Sequence, residues 1–385
     1  MTLLAVDQIL SSRINLMRIL LICGIVFVHV PFDPQTSPFL GRFGLFDWLR
    51  VFLGDSLFRI GVPCLSAISG YLLFRRGLAN FKFAPVVRSK LKTVLLPFLL
   101  WNLGLLMAIL LIQKVGVGIG YFPDLWNSNA VEMANYSVAL LGFPINLPLY
   151  FLRDLLVCIL LSPVLAALVA RAPWVTCCGL FFLAILPDVT IGVVLKKSIL
   201  FSFTFGIALA VHGINTKALD RYAPLGVIAT LLAAVVLAST LYATGPDFPF
   251  WLELARNTLS IVGALGFWLL SALLIRTTIG QKLAGTGSLS FWVFCGHYPL
   301  LVVAWMVWNR AAGDAAYPFF YVLAILVTFT ILIASNAIIG RSLPTAYQIL
   351  TGSRGRSQRV VAASRPVDDA DATALGGAAF SQDRR

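Results

Sequence analysis

RINLMRILLICGIVFVHVPFDP, Arg13 to Pro34, decides the fold class. Its apolar run matches the roughly 20 residues that a helix needs to cross a bilayer. Yet Arg18 and His29 lie inside that run or at its rim, and an ionisable residue at membrane depth is a functional candidate by default. They are eleven positions apart, which at about 100° and 1.5 Å per residue puts them within ~20° on one helix face and ~16 Å apart along the axis. One face of the first helix therefore holds a cation towards one membrane surface and an imidazole towards the other.

Working outward, the chain repeats this apolar character. Its 385 residues are 59% hydrophobic and 12% charged, with a mean hydropathy of +0.90, a balance that fits many spans rather than one soluble core. Apolar windows of about 19 residues give ten spans: 14–33, 48–74, 93–113, 147–170, 173–187, 198–214, 223–243, 256–276, 288–308 and 317–338. The expected fold is an all-α integral membrane protein, a polytopic bundle of about ten transmembrane helices. The first run reads as a retained helix, because no small-residue cleavage pattern follows it. No soluble domain is expected.

The formal charge is +13, but cations placed between apolar spans answer to topology and anionic membrane lipids, so no nucleic-acid partner is expected. Arg75, Arg76, Lys82, Arg88, Lys90 and Lys92 follow the second span with no acid among them. That loop should be cytoplasmic, and an even number of spans then puts both termini on the same side. Lys196 and Lys197 fall on the opposite side and run against the rule. Six cysteines lie in or beside apolar runs with no C-x-x-C pair; they read as small buried residues, with no disulfide and no metal site. The membrane domain is expected over 1–340, followed by a disordered cytoplasmic tail over 341–385, where apolar periodicity is lost from about Gly352 onward.

Several charges converge at one depth. Asp55 and Arg59 share a helix face in the outer half of the second span, Arg153 and Asp154 lie near the outer start of the fourth, and His297 sits about midway along the ninth. Each pair taken alone also reads as a neutralised link between helices, His297 as a packing histidine, and Arg13 and Arg18 as snorkelling anchors. Their combination is what needs a polar cavity, since burying so many charges at one depth is costly. A histidine facing such a cavity suits proton abstraction from an alcohol. The basic cluster of Arg75, Arg76, Arg88, Lys90 and Lys92 suits phosphate groups, or equally topology and lipid.

Five stretches resemble the acyltransferase 3 family of membrane O-acyltransferases. Arg18 and His29 match its R-x10-H signature; FRIGVPCLSAISGYL, Phe58 to Leu72, its second span ending in Ser69, Gly70 and Tyr71; and RSKLKTVLLPFLLW, Arg88 to Trp101, its basic stretch before a proline. LPLYFLRDLL, Leu147 to Leu156, is similar to its fourth-span motif, with Tyr150 where a Trp is frequent, and SLSFWVFCGHYPLL, Ser288 to Leu301, to its late histidine motif. The resemblance runs in order over about 13–340. It implies a multi-pass enzyme of the bacterial inner membrane that moves an acyl group from cytoplasmic acyl-CoA to a sugar hydroxyl of a polysaccharide or lipid-linked oligosaccharide, with polysaccharide-assembly proteins as further partners. RINLMRIL and SLFRIGVPCLSAISGYLLFRRGL resemble the branch that adds succinyl groups, so succinyl-CoA, or else acetyl-CoA, is the implied donor, with no cofactor bound permanently.

On this reading His29 acts as base or nucleophile with Arg18, Asp154 and His297 in the catalytic centre. Arg59 and Arg153 orient the acyl group or stabilise an oxyanion. The rival is a polytopic transporter or flippase for a glycolipid or organic anion, its path lined by the same charges.

Overall fold

The computed structural model describes residues 3–187 and 189–353, and among them the regular structure is helical. The helices are α1 (Leu3–Val28), α2 (Leu45–Phe74), α3 (Phe83–Lys114), α4 (Ala130–Val138), α5 (Tyr150–Arg171), α6 (Pro173–Ile185), α7 (Lys197–Val211), α8 (Ala223–Thr244), α9 (Phe250–Leu274), α10 (Thr278–Gly285), α11 (Gly287–Ala311), α12 (Tyr317–Ser342) and α13 (Pro344–Thr351). Eight are long and apolar enough to cross a membrane, and the shorter apolar α6 and α7 stand at the fifth and sixth expected positions. The protein is an all-α polytopic membrane bundle.

Prolines explain where the helices depart from regularity. A proline has no N–H and its ring clashes with the carbonyl four residues earlier, so the preceding turn loosens. Before Pro63, α2 widens into a π turn at Phe52–Leu57 and then tightens into a 3₁₀ turn at Phe58–Ile60; before Pro97, α3 has a π turn at Leu91–Leu95. α1 ends at Val28 because Pro31 and Pro34 follow. The first span was expected to reach residue 33; instead His29 caps the helix, and residues 30–44 cross the end of the bundle.

α1 lies at the centre. It packs on α2, α9, α10 and α11, while α7 fits between α2 and α5. Close approach of α2 and α7 rests on Gly70 and Gly206: a Cβ at Gly70 would meet the Phe203 carbonyl, and one at Gly206 the Ala67 carbonyl. Small residues allow such backbone contact between membrane helices, which gives Gly70 of the second-span motif its physical reason. Leu21, Ile25, Ile60, Phe203, Val293 and Phe320 belong to the main core cluster that joins these helices.

The boundary expected at residue 340 falls within α12, and α13 folds back on the bundle, where Trp101 Nε1 donates to the Leu350 carbonyl at 3.1 Å. The remainder of the expected tail, from 354 on, lies outside the described residues.

Candidate active site

The cap position puts His29 against α11. His29 Nδ1 lies 2.9 Å from the Ile25 carbonyl and 3.4 Å from His297 Nε2. His297 Nδ1 lies 3.0 Å and 2.9 Å from the Val293 and Phe294 carbonyls. A carbonyl only accepts, so each Nδ1 carries the proton. His297 Nε2 is then an acceptor directed at His29 Nδ1–H, and His29 Nε2 keeps its lone pair. His297 is fully buried, whereas His29 is half-buried. The inner imidazole orients the outer one, which is the more exposed of the two.

Pro299 helps to set this arrangement. It has no N–H for the Cys295 carbonyl, and Asn146 Nδ2 fills that vacancy with a 3.0 Å hydrogen bond. Asn146 N in turn donates to Asn102 Oδ1 at 2.9 Å. The loop before α5 is thereby tied to the histidine-bearing turn of α11.

Arg59 pairs with Asp55 at 2.9 Å, as the four-residue spacing predicts. Its side chain is 40% exposed, and it lies within electrostatic reach of His29, Tyr150, Lys196 and Arg256. Arg256 pairs with Glu253 at 3.1 Å and stands 4.0 Å from Asp55. Lys196 reaches over the Phe143 ring, 5.5 Å from its centroid. Lys196 is exposed as a residue, but partial desolvation of its ammonium, followed by the neighbouring Arg59 and Arg256, holds it below the usual lysine range. Sequence reasoning passed over Arg256 and used Lys196 only as an exception to the charge rule, which was the available signal.

Arg153 and Asp154 have other partners. Arg153 donates to the carbonyls of Ala139, Leu140 and Val193 at 3.0, 2.8 and 2.6 Å and to Asp154 at 2.9 Å. The first two carbonyls close the C-terminal end of α4, where a cation is favoured. Asp154, fully buried, accepts from Leu195 N at 3.0 Å and Lys196 N at 2.8 Å. The pair brackets the α4 end to the 193–196 loop, and its hydrogen-bonding capacity is taken up by backbone. These partners are distant in sequence and could not be seen there.

Two further charge pairs are structural. Arg13 is 2% exposed, binds Asp220 through two bonds of 2.7 and 3.1 Å, and lies over the Trp268 ring; the snorkelling anchor expected there is a buried ion pair. Arg50 joins Asp47 at 2.9 Å and the Thr36 carbonyl at 2.8 Å beneath Tyr317, whose hydroxyl donates to the Pro31 carbonyl. That network fixes the 30–44 crossing beside His29.

Arg18 is half-buried and makes no hydrogen bond or ion pair with a described residue. At the far end of α2, Arg75, Arg76 and Lys82 line a cavity of about 450 Å³. Arg88, Lys90 and Lys92 lie beyond it on α3 and do not line it. A second cavity of about 490 Å³, apolar, lies among Met17, Cys64, Phe201 and Trp268 and holds none of these charges.

Comparison with known proteins gives the relatives. The acyltransferase domain family matches residues 11–336. The succinoglycan biosynthesis protein ExoH of Rhizobium meliloti (strain 1021) is 54% identical over 366 residues, covering 95% of this chain and 98% of the relative. No solved structure matches.

Proposed function

The chain belongs to the acyltransferase family, and on that premise we propose that it is a membrane O-acyltransferase of exopolysaccharide synthesis. It moves an acyl group, succinyl in first place, from cytoplasmic acyl-CoA to a sugar hydroxyl of a succinoglycan-type polymer or its lipid-linked precursor. The role of the relative in succinoglycan biosynthesis supports the acceptor class. One observation carries the chemistry: a histidine whose Nδ1 is held by the Ile25 carbonyl and faces His297 keeps the lone pair on Nε2.

The acceptor hydroxyl gives its proton to His29 Nε2 as its oxygen attacks the thioester carbonyl. Positive charge that develops on His29 is stabilised through Nδ1–H by the Ile25 carbonyl and His297 Nε2. Arg59 orients the acyl group at this centre. Collapse breaks the C–S bond, and the departing thiolate takes the proton, giving the ester and free CoA. Arg153 and Asp154 are positioning residues that hold the loops around this centre.

The donor enters from the opposite end. Arg75, Arg76 and Lys82 hold its phosphates, Arg88, Lys90 and Lys92 add to the positive field, and Arg18 binds a polar part of the donor on the way to His29. This sets the Arg75–Lys92 side in the cytoplasm of a bacterial inner membrane, with both termini on that side, in keeping with the clustering of basic residues there.

The test compares the native chain with His29→Ala at matched membrane abundance and reads acyl esters on the polymer by mass spectrometry. The ester should fall by about 10²- to 10⁴-fold, the usual contribution of a general base, while polymer export continues. Unchanged esters would remove His29 from the mechanism.

A further inference from the structure

Three cations and two carboxylates form a cluster that comes within electrostatic reach of His29 through Arg59. Arg59 and Arg256 converge on Asp55, Arg256 also pairs with Glu253, and the Lys196 ammonium is within electrostatic reach of both arginines. No carboxylate among the described residues lies within ion-pair distance of the Lys196 ammonium, and its ring contact is Phe143. Arg256 Nε is buried without a hydrogen-bond partner. A buried guanidinium N–H left in that state carries a desolvation penalty that a bound acceptor would remove. Among the described residues the cluster thus sets Arg59, Arg256 and Lys196 against Asp55 and Glu253, with one buried guanidinium N–H that has no acceptor.

The loop that carries Lys196 is held firmly. Asp154 takes its backbone N–H at 2.8 Å, and Arg153 holds Val193. Lys196 lies at the end of the bundle opposite the Arg75–Lys92 cluster, and an anionic ligand would give its ammonium a partner there.

We propose that Lys196, Arg256 and Arg59 form a subsite for the distal carboxylate of a dicarboxylic acyl group, which selects a succinyl donor over an uncharged donor of equal length. The inference rests on the acyl-transfer reading above and adds to it the residues that choose the acyl group. Three C–C bonds of about 1.5 Å put the distal carboxylate carbon of a succinyl group about 4 Å from the reacting carbonyl carbon. With that carbon at His29 Nε2, the carboxylate extends towards Arg59, which is within electrostatic reach of His29. An anion there completes the pairing of three cations with three carboxylates.

Butyryl-CoA is the discriminating probe, because it has a methyl group where succinyl-CoA has a carboxylate. With the full chain in lipid nanodiscs and acceptor oligosaccharide, kcat/KM for succinyl-CoA should exceed that for butyryl-CoA by about 100-fold or more, as for sites built to bind a polar group that the analogue lacks. Lys196→Met and Arg256→Gln should each lower that ratio about 10- to 100-fold, mainly through KM for succinyl-CoA, while Lys196→Arg should keep it within about threefold. Lys196 is exposed, so Lys196→Met decides the matter should Arg256→Gln fail to fold. An unchanged ratio, or equal loss with both donors, overturns the proposal, the second by assigning these residues to the acceptor or to structure. His29→Ala separates the two levels: esters that persist there sink the transfer mechanism, whereas an unmoved donor ratio with a silent His29→Ala sinks only the subsite.

Discussion

The two ends of the bundle use charge in opposite ways. At the His29 end, three charges are built in: Arg153 is surrounded by carbonyls, Asp154 by backbone N–H groups, and Arg50 by Asp47, Thr36 and Tyr317, while Arg59 and Lys196 stay exposed. Around Arg76 and Lys82, the cations are exposed at the rim of a cavity. Buried charge has to be paired and hydrogen-bonded, so it becomes a fixture that sets geometry. Exposed charge is solvated and screened, and so it can exchange water for a mobile ligand. The end that positions atoms for a reaction is rigid, and the end that collects a soluble donor is open.

Removing a fixture should therefore cost the most. Asp154→Ala leaves Arg153 and the N–H groups of Leu195 and Lys196 without their acceptor, and stability should fall by about 3–5 kcal/mol. Thermal unfolding in detergent measures it; a change below ~1 kcal/mol would show that the bracket is dispensable and that the contrast between the two ends is not one of rigidity. His297 comes next. His297→Leu deletes the acceptor facing His29 Nδ1, and kcat should fall about 10- to 100-fold, equivalent to about 1.4–2.7 kcal/mol. His297→Gln, which can keep an amide oxygen facing that N–H, should retain more activity than His297→Leu at equal abundance. Equal loss in both would reduce His297 to packing.

The sequence carried local order well and tertiary partnership poorly. Apolar windows located the eight helices that are long and apolar enough to cross a membrane, because a bilayer dictates the length of a span, and they also found the shorter α6 and α7. That His297 lies behind His29 depends on the packing of α1 against α11 across 268 residues, which no spacing rule reaches. Arg153 shows the same limit from the other side. Its neighbour Asp154 was visible, but its carbonyl partners come from the end of α4 and the loop before α7, so a residue bound to backbone read as one turned towards substrate. Lys196 was legible only as an anomaly. The helix Pro344–Thr351 was lost in the expected tail because about two docked turns are too short a period to stand out.

The open end should give the smallest effect and the one most dependent on conditions. Arg76 and Lys82 are exposed, so an anion between them interacts through water and ions. Exposed ion pairs are worth about 0.2–1 kcal/mol each, so the double variant Arg76→Gln with Lys82→Gln should raise KM for acyl-CoA by about two- to tenfold, with kcat falling less than twofold. The Debye length shrinks from about 10 Å at 0.1 M salt to about 3 Å at 1 M. The difference between native and variant KM should accordingly be largest at low salt and close as salt rises. A deficit that persists at 1 M salt would mean that these side chains are fixtures like Arg153, and the two ends would then differ in chemistry but not in how they hold charge. No KM difference at any salt would leave this cluster to topology and lipid alone, and the donor's phosphates would have to be sought nearer Arg18.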